Sequence, residues 1–227
     1  MKFFIENKEI DDKIKEIRTK VRKSMSGEVA ALMLEHGINY KRNFGVEYPR
    51  IKEIAKDYDQ NHDLAQRLWA TKIREMMILA ILLQPADKFT QEMAEDWLTE
   101  INQNELAEQV TMNLFSKLPY ANKLALQCIN SDKTWNQIVG FMLIGRIWES
   151  LDSEEIDKIV DLSIKLSDTE EYQLYKSISL ALNRISRKAK GIGKNILLRI
   201  ADFETSNVDS KRFIYNELKE ELSFLDF

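Results

Sequence analysis

The sequence predicts an all-α protein, a HEAT-like repeat α-solenoid (an α-α superhelix) built from antiparallel helix pairs. Three observations point there. Apolar residues recur at spacings of three and four along nearly the whole chain, and no long run alternates with period two. Only 7 glycines and 3 prolines occur in 227 residues, so the chain has few sharp turns or broken helices. From about residue 62 onward, pairs of helical segments recur at roughly 35–45 residues, the spacing of HEAT and armadillo repeats. The repeats are degenerate and carry no sharp consensus, so a closed helical bundle is the structural alternative.

The periodicity places helices at roughly 8–24, 26–36, 48–58, 62–70, 72–84, 90–101, 104–117, 119–129, 132–149, 153–166, 169–188, 190–203 and 208–223. The breaks between them have chemical reasons. Ser26 is a capping residue for the helix that follows it. Gly37 stands where a left-handed residue closes a helix, and Pro49 suits a first helical turn, where its missing N–H costs nothing. The apolar pattern from Leu64 to Leu82 is broken near Thr71, and Pro85 ends the second of those helices. Pro119 opens the next helix but two. Ser131 with Asp132, and Ser153 with Glu154 and Glu155, put capping groups or negative charge where helix dipoles favour them. Helices of about 10–20 residues joined by short links make antiparallel neighbours. No low-complexity linker interrupts the series, so a single HEAT-like repeat domain is expected over residues 1–227.

Composition limits the function classes. The formal net charge is −4, which by itself argues mildly against nucleic acid, although the distribution of charge matters more than its sum. No stretch approaches 18 consecutive apolar residues, so no membrane span is expected. The first residues turn acidic at Glu6, too early for a signal peptide. A lone cysteine, Cys128, fits a reducing compartment, and a cytoplasmic location is expected. His36, His62 and Cys128 are too few for a usual zinc site, and no DxDxDG-like loop is present. No metal or cofactor is therefore expected. His36 stands at the end of an apolar helix and suits a capping or core role.

The segment Phe44-Gly45-Val46-Glu47-Tyr48-Pro49-Arg50-Ile51-Lys52-Glu53-Ile54-Ala55-Lys56 resembles the N-terminal signature of the DNA alkylation repair family, a Gly-Val-x-x-Pro stretch leading to Ile-Ala. Leu68-Trp69 and Arg74-Glu75 through Ala80 resemble the Leu-Trp and Arg-Glu helix pair of the same family. Tyr172 to Arg184 is similar to its Lys-Ala-Ile-Gly-Trp-Ala-Leu-Arg helix. The order and spacing agree over roughly residues 30–200. The resemblance implies a HEAT-like solenoid whose basic concave face holds duplex DNA, and excision of bulky or cationic alkylpurines by members that keep the catalytic residues. This chain departs from that pattern. A Trp followed four residues later by an Asp falls here on Asn104 and Glu108. A second Trp falls on Leu180, and an Arg expected near Val139–Leu143 is absent, with Arg146 the nearest.

The chemistry gives those departures weight. Glycosidic cleavage passes through an oxocarbenium-like state that a carboxylate stabilises, and aromatic walls hold a cationic base. Asn104 offers no π-face. Glu108 keeps a carboxylate on a longer stem and is the sole catalytic candidate; the competing reading is a plain exposed helix glutamate near Glu100 and Glu105. Trp135 would stack on a base or sugar, or would be a core residue with Ile138, Phe141 and Met142.

Three segregated basic clusters carry the remaining functional signal. Arg184, Arg187, Lys188, Lys190, Lys194 and Arg199 fall in a window free of acidic residues, around Gly191 and Gly193. Lys13, Lys15, Arg18, Lys20, Arg22 and Lys23 form a second cluster, and Lys41, Arg42, Arg50 and Lys52 a third. A cationic helix end, a Gly-x-Gly turn and a following helix N-terminus would together suit a phosphate. The alternative is cations at helix C-termini and solvated faces. The expected partner is duplex DNA, gripped through its backbone. The other reading is a non-catalytic scaffold for a protein partner on the same fold.

Overall fold

The computed structural model describes residues 4–225, apart from the side chain of Lys190. Among them are thirteen α-helices: α1 (Lys8–Lys23), α2 (Gly27–Glu35), α3 (Tyr48–Ala55), α4 (His62–Ala70), α5 (Arg74–Leu83), α6 (Gln91–Leu98), α7 (Asn104–Asn113), α8 (Ala121–Ile129), α9 (Thr134–Ile147), α10 (Ser153–Leu166), α11 (Tyr172–Ser186), α12 (Lys190–Arg199) and α13 (Asp209–Phe224). Every predicted helix is present. Several predicted ends run long, and three of these helices, α7, α9 and α12, are each followed by a separate 3-10 turn, at Phe115–Lys117, Trp148–Ser150 and Ala201–Thr205. Tightening of that kind is how a last helical turn satisfies its carbonyls, and periodicity cannot distinguish it from α-helix.

The caps follow the sequence logic with local adjustments. Ser26 accepts from the Val29 N–H at 3.2 Å. Gly37 sits at φ 78, and the N–H groups of Gly37 and Ile38 return to the carbonyls of Leu34 and Met33. Asp152, not Ser153, caps α10, in a reciprocal box with Glu155 that contributes about 1 kcal/mol. Ser131 and Asp132 stand outside α9, whose N-cap is Lys133; Ser131 Oγ accepts from the Lys133 N–H and from Asn136. Pro119 does not open α8 but lies two residues before its first residue, Ala121, with Tyr120 at the cap. The break at Thr71 is sharpened by Lys72, a non-glycine residue at φ 55.

The described residues group into two compact units. One comprises the chain up to Asp96 together with Asn102–Leu118; the other comprises Trp97–Ile101 and the chain from Pro119 onward. In the first, α5 is the core element and packs on α3, α4 and α7; Met76, Ile78, Leu79 and Ile81 are fully buried. In the second, α9 packs on α8 and α11, and α11 in turn on α13, with α10 touching both α8 and α11. Within each unit, several helices thus meet the next but one in sequence, as in α3–α5, α5–α7, α8–α10, α9–α11 and α11–α13. Contacts of that kind are those of stacked HEAT-like repeats.

Candidate nucleic-acid interface

In the second unit, α9 and α11 pack together and carry two of the sequence-named arginines, Arg146 and Arg184. A Cβ on Gly145 would meet Leu180 Cγ at 3.4 Å and Arg184 Cγ at 4.0 Å, so the stem of Arg184 crosses the backbone of α9 at the residue before Arg146. Arg146 is exposed and Arg184 half-buried. Neither has a carboxylate partner among the described residues. Leu180, at the position where the family resemblance implies a Trp, is partly exposed on the same side of α11.

Three companions of Arg184 in that sequence window are already engaged. Arg187 Nε donates to Glu221 at 2.5 Å, and that bond holds the guanidinium pKa above its usual value. Lys188 Nζ donates to the carbonyls of Glu149 and Leu151, closing the turn after α9. Arg199 pairs with Asp157 and Asp161 across α10. Lys194 is exposed and unpaired among the described residues, and the side chain of Lys190 lies outside them. Gly191 and Gly193 are inside the first turn of α12, not in a turn between helices. A Cβ on Gly193 would stand 2.4 Å from Leu222 Cδ2, so this glycine serves close helix packing. Trp135 is half-buried in the first turn of α9, and its near neighbours Ile138 and Phe141 are in the core.

The first unit carries the other candidates. On α7, Glu108 is exposed and accepts from Asn104 Nδ2 at 2.9 Å. The carboxylate is tied along its own helix surface by the residue four positions earlier. Arg42 and Lys41 are exposed and unpaired among the described residues. Arg50 pairs with Glu53 and Ser24, and Lys52 lies over the Tyr48 ring at 5.7 Å. In the N-terminal cluster, Lys13, Lys15 and Lys20 pair with Glu9, Asp12 and Glu16; Arg18, Arg22 and Lys23 do not pair among the described residues. His36 is the exposed C-cap of α2, with Nδ1 2.8 Å from the Leu32 carbonyl.

A buried polar centre at the start of α5 is the part that sequence reasoning missed. Arg74 is 3% exposed and Glu75 fully buried. Arg74 holds Glu105 in a fork, Nε at 2.7 Å and Nη2 at 2.5 Å, while Nη1 donates to the Val46 carbonyl at 2.8 Å and to Glu75 at 3.1 Å. Glu75 Oε1 accepts the N–H groups of Phe44 and Val46. Tyr40 donates to Glu105 at 2.9 Å. Burial, then the Glu105 charge, pushes the Tyr40 pKa far above the usual phenol range. For Arg74, burial works against the charge, but the bonds and charge of Glu105 and Glu75 prevail and keep its pKa raised. The centre fixes the loop between α2 and α3, where Gly45 sits at φ 69 with no room for a side chain: a Cβ would stand 2.0 Å from the Ser26 carbonyl oxygen. The Arg-Glu pair of the resemblance is therefore an anchor for the Gly-Val-x-x-Pro loop.

Among the described residues, no group of three or more His, Cys, Asp or Glu side chains is arranged to hold a metal ion. No described helix is long and apolar enough to cross a membrane.

A solved structure described as a new family of proteins related to the HEAT-like repeat DNA glycosylases, with affinity for branched DNA structures, superposes with a TM-score of 0.75 at 15% identity, over 91% of this chain and 94% of that one. That likeness shows the HEAT-like fold. A designed armadillo repeat protein in complex with a peptide aligns at a TM-score of 0.41 and 12% identity, over 95% of each chain. An engineered protein aligns at 0.42 and 16% identity, over 78% of this chain and 51% of that one. No curated protein matches the sequence. The family model of the DNA alkylation repair enzymes matches residues 17–195, a span that holds the anchored loop, the Arg74–Glu75 centre and the Arg146–Arg184 pair, and the chain belongs to that family.

Proposed function

We propose that this chain binds duplex DNA through its phosphate backbone and does not excise bases. The observation that supports the reading is two arginines on adjoining helices with no carboxylate partner among the described residues: Arg184, whose stem passes Gly145, and Arg146, the next residue along α9. In a protein of net charge −4, where most neighbouring cations are paired, two free guanidinium groups on adjoining helices suit a bridging phosphate. The DNA-binding description of the fold neighbour supports the same reading and suggests branched DNA as a second ligand to try. Against excision stand Asn104 and Leu180 at positions where the resemblance implies aromatic walls. The remaining carboxylate, Glu108, is exposed and bonded to Asn104.

The test is a salt series with fluorescent duplex, plain, alkylated or branched. Each phosphate contact steepens the slope of log K on log salt by about 0.9, so the R146A/R184A variant is expected to lose about two from that slope on every duplex. No binding at low salt, or an unchanged slope in the variant, refutes the reading and leaves the protein scaffold. Incubation with duplex carrying a cationic alkylpurine is expected to release no base; release would restore the enzyme.

A further inference from the structure

Helix α1 carries more positive charge than its place in the fold requires. Seven of its 16 residues are Lys or Arg and four are Asp or Glu. All four carboxylates are taken: Glu9 by Lys13, Asp12 by Lys15, Glu16 by Lys20, and Asp11 by Arg67 of α4. Helix α3 also packs on α1, and its Glu53 and the following Asp57 are held by Arg50 and Lys20. Left over are Lys8, Arg18, Arg22 and Lys23, all exposed and without an ion-pair partner among the described residues. Their spacing gathers them on one side. Lys8, Lys15 and Arg22 recur every seven residues, so they stand in a row about 21 Å long. Arg18 lies beside that row between Lys15 and Arg22, and Lys23 beside its end. The opposite side of the helix, with Ile10, Ile17 and Val21, is buried. The helix dipole accounts for Arg22 and Lys23 in the last turn, but it opposes Lys8, the first residue of the helix. Helix stability therefore does not explain the row.

We propose that this outward face of α1 is a second site for the DNA backbone, carried by the first unit and made of Lys8, Lys15, Arg18, Arg22 and Lys23. It rests on the reading that the chain binds DNA, but not on Arg146 or Arg184. A duplex presents an unbroken row of phosphates, and free Lys and Arg side chains in line neutralise such a row with release of its counterions. Lys15 joins them because its partner Asp12 is itself exposed, and an ion pair of that kind is weak enough to exchange for a phosphate. A lipid surface would attract the same charge, but a helix lying on lipid gives its apolar side to the acyl chains, and that side of α1 is buried in the fold. The residue that stands among the cations is polar, Thr19, whose hydroxyl donates to the Lys15 carbonyl. The match to the family begins at residue 17, so it does not account for Lys8 or Lys15.

Titration of the full chain with fluorescent plain duplex over a salt series tests this. R18Q/R22Q keeps good helix formers at both positions and changes only exposed side chains. It is expected to flatten the slope of log K on log salt by about 1.8, at about 0.9 for each lost contact. The loss should be equal on duplexes of unrelated sequence, with an unchanged far-ultraviolet spectrum. K13Q/K158Q removes the same charge from two lysines that already hold carboxylates, and is expected to leave the slope in place. An unchanged slope in R18Q/R22Q beside a flattened one in R146A/R184A would overturn the α1 site and leave the reading above standing. The reverse would refute that reading and keep the α1 site. Flattening by K13Q/K158Q as large as that by R18Q/R22Q would overturn the site, because net charge alone would then explain the effect. If R18Q/R22Q instead loses binding to phosphatidylserine vesicles and keeps its DNA slope, the face serves a membrane and the proposal falls. Absence of duplex binding at low salt removes both sites.

Discussion

Replacing Arg74 with leucine removes the cation around which the first unit's polar centre is organised. Four hydrogen bonds go with it: two to Glu105, one to Glu75 and one to the Val46 carbonyl. The two carboxylates left behind are not equivalent. Glu105 is 18% exposed and recovers some hydration. Glu75 has none to recover: its Oε1 keeps the Phe44 and Val46 N–H groups, but its Oε2 is buried without a partner. Removing one side of a buried pair costs about 3–5 kcal/mol, mostly for the charge left uncompensated. With a urea dependence of about 2–3 kcal/mol per molar, R74L should lower the unfolding midpoint by about 1–2 M, followed by circular dichroism. The double variant R74L/E75L, which removes the stranded charge as well, should be more stable than R74L alone. A loss below about 1 kcal/mol for R74L, or a double variant worse than the single, would show that the centre is hydrated and does not anchor the loop.

The same centre predicts a pH dependence. The Tyr40 pKa is raised in the folded state, first by burial and then by Glu105, so its contribution is complete below the unfolded phenol value of about 10 and falls as pH rises above it, because the unfolded chain then loses a proton that the folded one keeps. Urea midpoints should decline more steeply between about pH 9.5 and 11 for the wild type than for Y40F; parallel curves would refute the burial argument. The two glycines of α9 should respond unequally to alanine. At Gly140 a Cβ would stand 2.6 Å from Ile129 Cγ2 and 2.8 Å from the Ile129 nitrogen, so G140A should destabilise by about 1–3 kcal/mol as α8 is forced away. At Gly145 the nearest atom is a flexible leucine at 3.4 Å, so G145A should change stability by less than about 1 kcal/mol. Equal thermal shifts for the two would contradict the packing described.

The helices were legible because their signal is local. Apolar period, caps and glycine stops lie within a few residues of the structure they decide, as at Ser26 and Gly37. Polar pairing is different. The window from Ala181 to Ile200 holds no acidic residue, yet Arg187 and Arg199 find Glu221, Asp157 and Asp161 from 34 to 42 residues away. A basic run in sequence is therefore an upper bound on free positive charge in the fold. Gly191-x-Gly193 misled for a similar reason: glycine marks a turn in sequence but equally serves a close helix crossing, and Leu222, which decides between them, is distant in the chain. Arg74 and Glu75 read as a family signature with no hint of burial, since charged residues within a helical pattern ordinarily face water.

Conservation of the fold and departure at its chemical positions follow from different constraints. The Gly45 loop tolerates no side chain and is held by Glu75 and Arg74, so the Gly-Val-x-x-Pro and Arg-Glu elements have a structural role independent of any chemistry. Asn104, Glu108 and Leu180 are under no such compulsion. All three stand at least partly at the surface, and the single bond between the first two is a local one along α7. Residues of that kind change without cost to folding, and the chemistry they would perform changes with them. Phosphate binding asks much less: guanidinium groups on adjoining helices with no carboxylate to satisfy them. A HEAT-like array can lose the excision of a base and keep its hold on DNA, because the first depends on a few aromatic and acidic side chains and the second on charge and backbone geometry.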